Sequence, residues 1–158
     1  MDKKENTISL FTASFKQGFI SPNVPLVTIH QGTKEFIFLL DSGSEYNVID
    51  KTALENIDYV DVQDKSMPNT LSGVGGKVEV SACKICFRCG ENEYTENFVV
   101  NDLSAAFRMI KQECGVIMHG IIGSKFLRDN NVVLDFQNLY AYSKDDSSCN
   151  QSTAAVSE

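Results

Sequence analysis

Apolar and polar positions along this chain fall mostly into the short alternating runs of a β protein. Residues 7–20 alternate loosely, with Ile8, Leu10, Phe15 and Phe19 as inward positions, which predicts an N-terminal strand or hairpin. Ser21-Pro-Asn-Val-Pro25 breaks the pattern. Residues 26–30 and 35–40 then read as two strands joined by Gln31-Gly-Thr-Lys34. The second of these is apolar on both faces, so it belongs inside the assembly of strands and not at an edge. Residues 46–49 predict another short strand, with Asp50 placed to cap a short helix over residues 51–57. Residues 58–68, polar and acidic, read as a loop or an exposed strand.

Thr70-Leu-Ser-Gly-Val-Gly-Gly-Lys-Val-Glu-Val80 has two β-prone arms around a glycine-rich tip, the pattern of a mobile hairpin. A phosphate-binding loop fits poorly, because neither Lys-Ser/Thr nor a helical pattern follows the glycines. Residues 78–87 continue as a long strand that turns at Cys89-Gly-Glu-Asn92 and returns through residues 94–100. The period then changes: Leu103, Phe107, Ile110 and Cys114 share one helical face, with Asp102 to cap the start and Gly115 to end it. Residues 116–123 read as a buried strand, residues 124–130 as a second helix capped by Ser124, and residues 132–136 and 139–142 as strands that finish the sheet. From residue 143 the composition is polar and aperiodic, which predicts a disordered tail.

A chain of 158 residues with this apolar content forms one globular domain. Its net charge of -7 argues against a nucleic-acid partner, whose phosphates are bound by Lys and Arg. Neither a signal peptide nor a membrane span is visible. The five cysteines are therefore expected as reduced thiols in a cytoplasmic setting. Cys83, Cys86 and Cys89 carry a metal-like spacing, but on a strand Cys83 and Cys89 face one way and Cys86 the other. Ligands that diverge do not close a site, and no fourth ligand stands at a usual spacing, so no metal or other cofactor is expected.

The candidate chemistry sits at Phe36-Ile-Phe-Leu-Leu-Asp-Ser-Gly-Ser44, where a carboxylate ends a run of five apolar residues. A carboxylate there must be hydrogen-bonded, paired or protonated, which makes Asp41 a candidate for acid–base work. Ser42, Gly43 and Ser44 are small or hydroxylic, so amides and hydroxyls can approach it closely.

Four segments, in order, carry a resemblance: Pro25-Leu-Val-Thr-Ile29, Leu39-Leu-Asp-Ser-Gly-Ser44, the glycine-rich Ser72-Gly-Val-Gly-Gly76, and Gly120-Ile-Ile-Gly-Ser-Lys-Phe-Leu127. Together they resemble the retropepsin-like aspartic proteases, the family of the retroviral proteases. The resemblance spans residues 24–142, with an insertion over 83–118, an N-terminal strand or extension over 1–23 and the tail over 143–158. It implies a mainly β fold, a closed retropepsin-like barrel with one or two short helices, in a single domain active as a C2 homodimer. It implies an aspartic endopeptidase with Asp41 as the catalytic acid and Ser42, Gly43 and Ser44 supporting its loop. By the same resemblance, Ser72, Gly73, Val74, Gly75 and Gly76 form a flap over a peptide or protein substrate, and Ile121, Ile122 and Gly123 support the catalytic loop.

Only one Asp-Ser-Gly triplet is present, so the second acid must come from a second copy of the chain. Asp135 has no Ser/Thr-Gly after it and reads as a turn or sheet-edge acid. The Ser44 hydroxyl is expected to donate to the outer oxygen of the dyad, favouring its charged form and an acidic activity optimum. Ser124 stands where the family pattern has an Arg that pairs with the acid at the position of Glu45; Lys125 and Arg128 are the available substitutes. A catalytically inactive module for dimerisation or peptide binding is the alternative. A redox or metal module on the three clustered cysteines is a third reading.

Overall fold

The computed structural model describes residues 11–73 and 76–144. The expectations for Ile8 and Leu10, for Val74 and Gly75 at the hairpin tip, and for the tail beyond residue 144 lie outside the described residues.

The chain begins with β1 (Thr12–Ser14) and a short helix α1 (Lys16–Ile20), where alternation predicted strand. Phe15 and Phe19 explain the difference: four residues apart, they suit one helical face, and their rings touch at 5.7 Å. Phe11 and Phe15 are both buried in the main core, so this segment packs with the rest of the fold.

Next come β2 (Leu26–Gln31), β3 (Lys34–Asp41), β4 (Val48–Asp50), a 3-10 turn over Lys51–Glu55, and β5 (Val60–Val62). A separate hairpin, β6 (Thr70–Gly73) with β7 (Gly76–Glu79), precedes the long antiparallel pair β8 (Ser81–Cys89) and β9 (Asn92–Asn101). The strand predicted to run unbroken from residue 78 is interrupted at Val80, where the hairpin closes through Val80 N–H donating to the Asn69 carbonyl. Helix α2 (Ser104–Cys114) follows, ending at Gly115 with φ +74°, the left-handed conformation glycine adopts without strain. Then come β10 (Gly120–Gly123), helix α3 (Ser124–Asp129), β11 (Val132–Asp135) and β12 (Tyr140–Ser143). Residues 116–119, predicted as strand, are irregular, and α3 has no side-chain cap from Ser124.

Strands β2, β3, β10, β4, β9 and β8 form a ring that closes where His30 pairs with Arg88, giving a six-stranded barrel with β5 appended to β8. The protein is thus mainly β, a closed barrel with a few short helices. The C-terminal strands β11 and β12 do not finish the barrel sheet as predicted, because β12 pairs with β1. They join β1 in a three-stranded sheet of order β1-β12-β11, and Ser143 is its last paired residue instead of the first residue of a tail.

β3 shows why a strand can be apolar on both faces. Phe36, Phe38 and Leu40 point into the barrel, where Phe38 meets Phe98 edge-on at 5.8 Å. Ile37 and Leu39 face outward and pack in a second cluster with Leu26, Met118 and Phe107 of α2. Both faces leave water, so β3 lies between barrel core and helix, and its C-terminal residue is Asp41. Among the described residues, no helix is long and apolar enough to cross a membrane.

Candidate active site

Asp41 is the last residue of β3, at the point where the strand leaves the barrel and turns. Its Oδ1 accepts the Gly43 N–H at 2.8 Å, and its carbonyl accepts the Ser44 N–H at 3.2 Å. Asp41 is half-buried beside exposed Ser42 and Gly43. A Cβ on Gly43 would stand 3.1 Å from Asp41 Oδ1, tight enough to push on the carboxylate itself.

The turn is held from below by β10. Gly120 to Gly123 run parallel to residues 38–41 of β3, which puts Gly123 opposite Asp41, while Gly120 and Ile121 pair antiparallel with β4. A Cβ on Gly123 would lie 2.4 Å from the Tyr46 carbonyl oxygen and 2.8 Å from that of Ser44, so only glycine fits under the loop. Ile122 is buried in the main core, and Ile121 packs in the cluster around α2. Past Gly123 the chain straps the loop with two backbone bonds, Ser124 N–H to the Ser44 carbonyl at 2.6 Å and Lys125 N–H to the Glu45 carbonyl at 3.1 Å.

Asn47 was not singled out by the sequence reading, yet it is the most heavily used side chain of this loop. It is 6% exposed; Oδ1 accepts the Gly123 N–H at 2.9 Å, and its backbone carbonyl accepts the Val99 N–H at 2.8 Å. It joins the Asp41 loop to β10 and β9 at once. The available signal was an Asn inside Tyr46-Asn-Val-Ile49, since Asn is depleted in strands unless its side chain has a specific partner.

Ser44 supports the loop differently from the expectation. Its hydroxyl donates to the Tyr46 carbonyl at 2.8 Å. A hydroxyl has one proton, so it is not a donor to the Asp41 carboxylate in this arrangement. Nor do Lys125 and Arg128 reach Glu45 as the missing Arg would: both pair with Asp129, at 3.4 and 3.7 Å.

Asp135 is a turn acid. Its Oδ1 accepts the Gln137 and Asn138 N–H groups, its Oδ2 accepts Asn138 Nδ2, and these bonds, led by that of the Asn138 side chain, hold its pKa below the usual carboxylate value. Of the glycine-rich hairpin, Ser72, Gly73 and Gly76 lie on the paired arms. Its root at Asn69 and Val80 shares a cleft with Tyr46, next to the Asp41 loop.

Cys83 and Cys89 are buried on the inner face of β8, where loss of solvent pushes both thiols up to about 12, while Cys86 is exposed on the outer face. The three therefore diverge, and among the described residues no group of three His, Cys, Asp or Glu side chains is arranged to hold a metal ion.

No protein-family model matches the chain, and no curated protein matches it. Among solved structures, it is similar to the EIAV protease complexed with the inhibitor HBY-793, at 17% sequence identity and a TM-score of 0.46, over 69% of this chain and 89% of that one.

Proposed function

We propose that the chain is an aspartic endopeptidase whose active site assembles from two copies, with Asp41 of each supplying one carboxylate. The observation that carries this reading is the way Asp41 is presented. It ends a strand buried on both faces, it is fixed by the Gly43 amide, and it stands on a loop strapped by Gly123, Ser124 and Lys125. A half-buried carboxylate braced this closely is more than a turn of no function needs.

Two such carboxylates across a two-fold axis cannot both ionise cheaply, so they share a proton. The ionised one removes a proton from a water as that water attacks the scissile carbonyl, and the protonated one donates to the carbonyl oxygen. The tetrahedral intermediate then collapses as the amide nitrogen takes a proton and leaves. Substrate binds extended, with β6 and β7 as the covering hairpin.

Cleavage of a diverse peptide library across acid to neutral pH, by wild type and Asp41→Asn, tests the reading. Activity that survives the substitution rules out the mechanism. A folded dimer that cleaves nothing is instead a peptide-binding or dimerisation module, and a chain that stays monomeric with a peptide inhibitor contradicts the half-site argument.

A further inference from the structure

A cleft of about 540 Å³ opens beside the Asp41 loop, between Glu45, Tyr46 and Asn47 on one side and β9 and α3 on the other. Its unusual feature is Glu96. On β9 the alternation places Tyr94 and Phe98 inward, opposite Phe87 and Cys83, and Glu96 falls on the same inward register opposite fully buried Ile85. A carboxylate thus stands where the strand's pattern calls for a core side chain. It is only partly withdrawn from water, and burial, reinforced by Asp129 and partly offset by Lys125, holds its pKa above the usual range. Among the described residues no ion pair involves it.

Among the described residues, the ion pairs made by the cleft's cations go to a carboxylate other than Glu96. Lys125 and Arg128 both reach Asp129, and Lys125 also lies near enough to Glu96 for its charge to offset part of the upward shift there. The lining carries three cations, Lys84, Lys125 and Arg128, and three carboxylates, Glu45, Glu96 and Asp129, of which Asp129 alone takes both Lys125 and Arg128. Tyr46, Met67 and Phe126 supply apolar wall. A half-desolvated acid lining a cleft with some apolar wall matches a long side chain with an aliphatic stem and a cationic head.

We propose that this cleft receives an Arg or Lys side chain of the bound peptide, with Glu96 as the specificity-determining residue. The proposal rests on the endopeptidase reading, since Glu45 to Asn47 continue directly from the Asp41 turn and a peptide lying on that turn reaches the cleft within a few residues.

Asp41→Asn protein, which holds peptides without cutting them, tests it by equilibrium binding. The probes are extended peptides, acetylated and amidated at their ends, that carry Arg or its neutral isostere citrulline at each position in turn. At one position the Arg peptide binds about tenfold more tightly than its citrulline twin. Adding Glu96→Gln brings that ratio to about one and leaves the citrulline peptide's Kd unchanged. Equal binding of the twins at every position, a preference that survives Glu96→Gln, or failure of all peptides to bind overturns the proposal. Cleavage by wild type is read separately. Cutting without Arg preference sinks this proposal and leaves the endopeptidase, whereas Arg-selective binding without cutting supports the cleft and sinks the endopeptidase.

Discussion

Asp41 and Asp135 are a matched pair in two regions of the molecule. Each is the last residue of a strand, and each accepts the N–H of the residue two further on through Oδ1, at 2.8 and 2.9 Å. At Asp135 the resemblance ends there, because Asn138 also occupies Oδ1 with its amide and Oδ2 with its side chain. That carboxylate is consumed by its own turn. At Asp41 the carboxylate engages a single N–H among the described residues, and the rest of the loop is held by backbone, by the Ser44 hydroxyl and by Asn47. A third strand-ending acid, Asp50, is 4% exposed and spends its oxygens on the Leu103 amide and the Thr52 hydroxyl, tying β4 to the start of α2. A strand-terminal Asp is therefore no sign of chemistry until its partners are counted.

The comparison breaks most visibly in a cleavage assay. Asp41→Asn is expected to lower peptide hydrolysis by about 10²–10⁴-fold, while Asp135→Asn leaves kcat unchanged and lowers only the unfolding midpoint. If the two variants behave alike, the distinction drawn from their partners is wrong. Next in size is Gly123→Ala, whose methyl meets the Tyr46 and Ser44 carbonyls; a loss of about 3 kcal/mol in denaturant unfolding is expected, with activity falling as the loop shifts. Asp50→Ala strands the Leu103 amide and costs about 2 kcal/mol by the same measurement. Ser44→Ala removes the bond to Tyr46 and costs about 1 kcal/mol. Because that hydroxyl does not face Asp41, the pH–rate profile stays in place, and an upward move of the optimum would restore Ser44 as a donor to the dyad.

The smallest effects are pH slopes. His119 accepts the Ile37 N–H at Nδ1, and burial lowers its pKa. The folded chain therefore favours the neutral ring. The stability this contributes is complete above the unfolded value of about 6.5 and is lost as pH falls from there through the depressed folded value. Asp135 acts at a lower window, its contribution present above the unfolded carboxylate value of about 3.9 and lost as pH falls through the lowered folded one. Unfolding followed against pH should lose the first slope in His119→Gln and the second in Asp135→Asn.

Much of this was legible in the residues. The two-faced apolar character of β3 placed it inside the fold, the period of α2 named its buried face, and the small residues after Asp41 marked a close-packed turn. The features that escaped depend on partners far along the chain. Asp50 was read as a cap for the next turn, whereas it bonds to an amide 53 residues away. Asn47 is explained by Gly123, 76 residues on. Ser44 has several acceptors within reach, and only the folded loop shows that the Tyr46 carbonyl takes its proton. The helix at α1 was readable from Phe15 and Phe19, but four residues' spacing in so short a stretch competes with an equally good alternation.

The parallel pairing of β3 with β10 also has a bearing on biosynthesis. Ile37 and His119, bonded through the same junction, are 82 residues apart, and Gly123, Ser124 and Lys125 supply the last bonds of the Asp41 loop. None of these can form until that part of the chain has left the ribosome, and closing so long a loop is slow beside local hairpin formation. The β2–β3 hairpin, complete early, emerges with its acid attached to an unfinished turn. Until residues 119–125 have emerged, a nascent chain thus carries the Asp41 carboxylate on a turn that lacks its braces.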